Sequence, residues 1–334
     1  MSASIYRRAR HRSPGDPRFV AVATLLFILV LLAAGVASAD LPPGVTRLSP
    51  ADADRSGMTV RLNRRSVAGA ALVEVQPSMD GMSLLAVAPD SGSVALADRI
   101  GELSGALTLA SVDGSQLRIA LPGLLAASFA PDGSWLAVLD GRGVLWRVDA
   151  TLGRSERIAD GPFIGPPVVT SDASLVLLAV PSVEAPYRSR LVRLSPASGA
   201  TAVISVEELV YAAFPLEAGD LAVVAHDPAG TVIGRVGESG ERRLVELPAG
   251  AVNVSVARDG RIAFEVAGEG IFVIDRPGST ARGLGTGRRP CFAPDGSSLL
   301  VSRGHERVAL GLDGSSLAEA DGLAGFAGSS GCLP

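Results

Sequence analysis

An all-β chain, built as a six-bladed β-propeller of four-stranded antiparallel blades behind an N-terminal signal or anchor helix, is the fold class this sequence predicts. Three observations carry the prediction. One turn motif recurs almost unchanged, as "FAPDGSWLAVLD" at 129–140 and "FAPDGSSLLVSR" at 292–303. Weaker copies fill the interval at near-even spacing. Each copy is followed by a second turn between two short β-type runs, so every unit holds two hairpins.

The six copies are "PSMDGMSLLAV" (77–87), "APDGSWLAV" (130–138), "TSDASLVLLAV" (170–180), "PLEAGDLAVV" (215–224), "ARDGRIAFEV" (257–266) and "APDGSSLLVS" (293–302). Their turn acids, Asp80, Asp132, Asp172, Glu217, Asp259 and Asp295, stand 52, 40, 45, 42 and 36 residues apart, the period of a four-stranded blade. Asp-Gly suits the turn: Gly accepts positive φ without a Cβ clash, and Asp bonds the backbone ahead of it. The apolar runs after the turns, such as 175–180, are too short for a stable helix and are bounded by turn residues, so they read as buried strands. Second turns follow in "ASVDGSQLRI", "LWRVDATLGRSERI" and "ALGLDGSSLAEA", among others. Radial arrangement leaves only short, protected edges. Met58-Thr59-Val60-Arg61-Leu62 reads as a strand that pairs at the rim of the last blade and closes the ring. A seventh blade formed by the termini, or a pair of β-sandwiches, is the competing architecture.

The segment ahead of the repeats reads as an export signal. Arg7, Arg8, Arg10, Arg12 and Arg18 form a basic region, 19–36 is apolar or small apart from one Thr, and Ala37-Ser38-Ala39 fits a small-x-small cleavage site. An uncleaved anchor is the alternative, since 18 residues just span a bilayer. The predicted organisation is therefore signal or anchor at 1–39, linker at 40–57 and propeller at 58–334, with the product periplasmic, extracellular or held on the outer side of the cytoplasmic membrane. Membrane contact is expected only through an uncleaved N-terminal segment.

Composition excludes several functions. No Lys occurs among the 30 basic residues, so lysine chemistry is absent. Beyond residue 39 about 25 Arg face 33 acidic residues, an acidic balance unsuited to nucleic acid. Only three His and two Asn are present. A calcium-dependent lactonase or esterase propeller needs six or more converging oxygen ligands, often including Asn, and stands as the alternative function. No cofactor is expected.

The A-P-D-G turn followed by a small-apolar strand resembles the repeat of TolB-type, WD-repeat-like bacterial propellers, over residues about 66–320. Ala257-Arg258-Asp259-Gly260 lacks the Pro, Ser171-Asp172-Ala173 lacks the Gly, and the unit at Glu217 is degenerate. The resemblance implies a non-enzymatic module that recognises a protein segment or an envelope component.

If the innermost strand of each blade runs down from the ligand face, the turns joining the first two strands lie underneath and are structural. Binding residues are then sought in the connections at the opposite mouth, where loops on a rigid scaffold carry function. From turn acid to second turn the units measure 33, 17, 23, 16 and 18 residues for all but the fourth, so the first and third hold insertions. These contribute Asp98, Arg99 and Glu102 within 88–106, and Glu184, Tyr187 and Arg188 within 181–190. His226, Asp227, His305 and Glu306 join them at other turns, as do Arg288 and Arg289, which suit a carboxylate or phosphate. The two His lie two blades apart without a third ligand of zinc-like spacing, so no metal site is assigned. Cys291 and Cys332 are expected to form a disulfide that staples the tail to the last blade, as paired cysteines are the rule in exported chains. A buried free thiol at Cys291 is the alternative.

Overall fold

Seven sheets stand in a ring, one more than the repeat count predicts. The computed structural model describes residues 41–56, 59–77, 81–98, 105–121, 123–161, 163–179, 189–196, 201–206, 209–227, 230–237 and 240–328. The predicted signal at 1–39 lies outside them. Among the described residues no helix is long and apolar enough to cross a membrane.

The described chain opens with β1 (Val45–Leu48), the short helix α1 (Pro50–Ser56), β2 (Val60–Val67) and β3 (Ala70–Pro77). Six four-stranded units follow. Blade 1 comprises β4 (Met82–Val87), β5 (Ser93–Asp98), β6 (Ala106–Ser111) and β7 (Gln116–Ile119). Blade 2 comprises β8 (Leu124–Phe129), β9 (Trp135–Asp140), β10 (Val144–Asp149) and β11 (Ser155–Asp160). Blade 3 holds β12 (Phe163–Val169), β13 (Leu175–Ala179), β14 (Ser189–Leu194) and β15 (Thr201–Val206), and blade 4 holds β16 (Leu209–Pro215), β17 (Leu221–Asp227), β18 (Gly230–Gly237) and β19 (Gly240–Glu246). Blade 5 is β20 (Ala251–Val256), β21 (Ile262–Val266), β22 (Gly270–Ile274) and β23 (Arg282–Gly285). Blade 6 is β24 (Arg288–Phe292), β25 (Ser298–Arg303), β26 (Glu306–Gly311) and β27 (Ser316–Ala320). All neighbouring strands pair antiparallel, and within each unit the first strand is innermost.

The last strand, β28 (Leu323–Phe326), pairs with β3, and β3 with β2, giving a seventh blade made from both ends of the chain. This corrects the six-bladed expectation, and the reason is physical. The repeat signal is the turn between the first and second strands of a blade. In blade 7 those strands come from opposite ends of the chain, so no such turn exists to carry a motif. The strand foreseen at 58–62 belongs to β2, as the outer strand of this extra blade. Within 40–57, β1 adds a fifth strand to blade 1 by pairing with β7.

A second correction concerns the first repeat. The turn of blade 1 that matches Asp132 is not at Asp80 but at Asp90, between β4 and β5. There Ala88-Pro89-Asp90 repeats Ala130-Pro131-Asp132, and Gly92 N–H donates to Asp90 Oδ1 (2.7 Å) as Ser134 N–H does to Asp132 Oδ1 (3.0 Å). The first interval therefore shrinks from 52 to 42 residues. Much of the segment taken as an insertion is the strand β5.

Burial falls outward along each blade. The second strand β9 is buried throughout, whereas the outer strand β11 is mostly exposed. A strand covered on both faces by neighbouring blades reads as a continuous apolar run, which is why these segments show little alternation. Buried hydroxyls stitch adjacent blades: Ser128 Oγ donates to Pro167 O (2.7 Å), Val210 N to Ser189 Oγ (2.8 Å) and Phe292 N to Ser255 Oγ (3.2 Å).

Candidate functional site

Two rims frame the channel, and the chain builds them differently. On one face lie the turns between the first and second strands. In blades 1, 2, 3, 5 and 6 the turn acid accepts the N–H two residues on, and the residue after the acid sits at positive φ: Ser91 (58°), Gly133 (71°), Ala173 (60°), Gly260 (88°) and Gly296 (69°). The residue before the acid stands at this rim: Pro89, Pro131, Ser171, Leu216, Arg258 and Pro294, with Gly328 in the matching place on blade 7. Of these, Pro89, Pro131, Arg258 and Pro294 line the channel mouth, whereas Ser171 lines a separate cleft.

Three prolines of this set, with Arg258, Gly328, Phe129, Val87 and Val169, line a hollow of about 190 Å3. A neighbouring recess adds Phe214, Pro215, Val256 and Phe292, so all seven blades contribute to the mouth. The side chains of the wall are mostly apolar. Arg258 is exposed and makes no ion pair among the described residues, although its carbonyl accepts Glu217 N–H (3.0 Å) across the blade 4–5 seam. A separate cleft of about 620 Å3 opens between blades 3 and 4 on the same face. The acids on its rim are already engaged, Asp172 with Arg193 (2.8 Å) and Asp220 with Arg235.

Of the predicted residues, Asp98, His226, Asp227, Arg288, Arg289, His305 and Glu306 lie at the opposite rim. Arg99, Glu102, Glu184, Tyr187 and Arg188 lie outside the described residues. Asp98 ends β5 and is held by Arg118 at 2.6 Å. His226, the last but one residue of β17, stacks on Tyr211 with ring centroids 4.6 Å apart, and Asp227 ends the strand. Burial raises the Tyr211 hydroxyl above its ordinary value, with Thr231 opposing. Arg288, Arg289, His305 and Glu306 are brought together at one end of blade 6, and His226 stands two blades away. Cys291 is 1% exposed and disulfide-bonded, whereas Cys332, its expected partner, lies outside the described residues.

The inner strand of each of blades 1 to 6 has a register break, a bulge that re-aims side chains, and in blades 2 to 6 it lies towards this rim. In blades 5 and 6 the bulges hold non-glycine residues at positive φ, Asn253 (50°) and Arg289 (49°). Glu265, 8% exposed, ties both: it accepts Asn253 Nδ2 (2.7 Å) and Arg289 N (3.1 Å) through one oxygen. Among the described residues no three His, Cys, Asp or Glu side chains come together to hold a metal ion.

Sequence reasoning missed Arg258, Arg307 and Glu265. A signal existed for the first: Arg258 is where the fifth repeat departs from A-P-D-G. A break in a repeat marks a side chain chosen for something other than the turn.

A radial ring of seven blades around such a channel defines the class, a seven-bladed β-propeller. No protein-family model and no curated protein sequence matches the chain. Among solved structures the fold is similar to TolB from Acinetobacter baumannii, at 14% identity over 85% of each chain and a TM-score of 0.54. It is also similar to oligogalacturonate lyase in complex with manganese, at 14% identity over 78% of this chain and 84% of that one with a TM-score of 0.57. The tricorn protease matches at 10% identity over 87% of this chain and 36% of that one, with a TM-score of 0.58. At these identities the likeness is one of fold alone.

Proposed function

We propose that this chain is an exported, non-catalytic binding module that captures a segment of a protein or another envelope component at the channel mouth formed by its A-P-D-G turns. The observation that carries this reading is the mouth itself, a concave wall of mostly apolar side chains and exposed polar atoms drawn from every blade, with the guanidinium of Arg258 in no ion pair among the described residues. Its volume of about 190 Å3 lies below the ~300–1,000 Å3 of usual small-molecule pockets. It suits one or two large side chains of an extended segment. An acidic group beside them would pair with Arg258 in a partly desolvated setting. The export signature at 1–39 and the TolB-type resemblance of the repeats support the same reading.

Selection of displayed random peptides on the full chain tests it. Enriched peptides are expected to combine a bulky apolar residue with Asp or Glu. Arg258→Glu and Pro131→Glu should each weaken them at least tenfold without lowering the melting temperature. Peptides that bind both variants as well as the parent would defeat the reading. Melting in calcium and in chelator tests the non-catalytic part: equal temperatures are expected, and a stoichiometric calcium-dependent rise would favour a metal-dependent hydrolase.

A further inference from the structure

We propose that the rim opposite the A-P-D-G turns carries a binding site for a phosphoryl group, formed by Arg288, Arg289 and Arg307 on blade 6. The cross-strand register places these residues together. Arg288 of β24 lies opposite Ser302 of β25, which lies opposite Arg307 of β26, so two guanidinium side chains flank one serine in a single row. Arg289 follows at the bulge, where φ is 49°. That conformation strains a non-glycine residue, and buried Glu265 holds it by accepting the Arg289 N–H at 3.1 Å.

Charge is unbalanced there. Glu265 accepts the Arg289 N–H and approaches Arg288 Nε at a long 4.0 Å, while Glu306 lies opposite Arg303 in the register, on the other face of the blade from Arg307. No ion pair joins Arg289 or Arg307 to an acid among the described residues. Burial, and after it the charge of Arg289, pulls the Arg307 guanidinium below its ordinary value, while Arg288 and Arg289 are exposed. Three cations against one buried carboxylate leave about two positive charges, the complement of a phosphate monoester dianion. A carboxylate would neutralise only half of this. Guanidinium forks match phosphoryl oxygens in bidentate geometry.

Calorimetric titration of inorganic phosphate into the full chain is the test, with acetate as the monoanion control. Flotation with phosphatidylcholine vesicles, with and without phosphatidic acid, separates a soluble phosphoester from a lipid headgroup. Saturable phosphate binding is expected, weakened about tenfold or more in Arg307→Met and in Arg289→Gly. The Gly variant also relieves the positive-φ strain, so it should melt no lower than the parent, which separates lost binding from lost folding. Glu265→Gln removes the opposing charge while keeping an acceptor, and should tighten binding several-fold. Capture on phosphatidic acid vesicles that is lost in Arg289→Gly, without binding of free phosphate, assigns the headgroup as the source. Phosphate binding unchanged in Arg289→Gly, acetate binding as tight as phosphate, or no binding in any arm overturns the proposal.

Discussion

Asp172 shows how much of this molecule rests on turn carboxylates. It accepts Thr170 Oγ1 (2.5 Å), Ser174 Oγ (2.9 Å) and Ser174 N (3.1 Å), and pairs with Arg193 (2.8 Å). The Thr170 hydroxyl foremost holds its carboxyl far below the usual range, against an opposing contribution from burial. The hydroxyls of Ser115 and Ser315 depress Asp113 and Asp313, and the Ser134 amide depresses Asp132. A carboxyl depressed in the folded state binds its proton more readily in the unfolded chain. The stabilisation is therefore complete above the ordinary carboxyl value of 3.8 and is lost as pH falls below it. Thermal melts should be flat between about pH 5 and 7 and drop steeply below about pH 4. Asp172→Asn should melt lower at neutral pH and lose less on acidification. Next to it, Ala173 occupies at φ 60° the place that Gly133, Gly260 and Gly296 hold in other blades. Ala173→Gly should stabilise by about 0.5 kcal/mol, the left-handed penalty less the entropy of glycine. Gly133→Ala should cost about 1 kcal/mol, and urea midpoints measure both. At this scale the sequence was legible wherever a turn states its chemistry locally, as Asp132-Gly133 does. Glu265 was not legible, because its role depends on two bulges in neighbouring blades that approach only in the folded ring.

Among the elements, hairpins were the most readable, since an Asp-led turn between apolar runs is a local signal. Blade 1 shows the limit. Met79-Asp80-Gly81 resembles the repeat more than Asp90-Ser91-Gly92 does, because serine stands at the positive-φ position of the true turn. The apparent insertion at 88–106 followed from that one-place error. Edge elements such as β1 were hidden for another reason: a four-residue strand that pairs with β7 has no partner nearby in sequence. Turns also couple blades. Ser297 Oγ stands 2.8 Å from both Asp295 Oδ1 and Ala68 O and shares its one proton between them, clipping the turn of blade 6 to the β2–β3 hairpin of blade 7. Ser297→Ala should therefore cost about 1 kcal/mol, read from the denaturation midpoint. If the hairpin of blade 7 packed elsewhere, that substitution would be silent.

For the whole molecule the decisive feature is closure by both ends. Phe326 of β28 is fully buried beside Leu72 of β3, in a cluster that also includes Cys291 and Leu300 of blade 6. Phe326→Ala should cost about 3–4 kcal/mol. A ring assembled from short hairpins can announce six of its blades through repeated turns, but the closing blade is defined by pairing between distant segments and leaves no repeat to find. The same closure completes the mouth, because Ala327 and Gly328 leave β28 to stand beside Pro89 and Pro294. Binding at that mouth is the central claim. Hydrogen exchange of the full chain, with and without a selected peptide, tests it most directly. Protection is expected at 86–89, 127–131, 214–217, 256–258 and 327–328. Protection confined to 140–144, 266–270 and 303–306, the turns of the opposite rim, would contradict it.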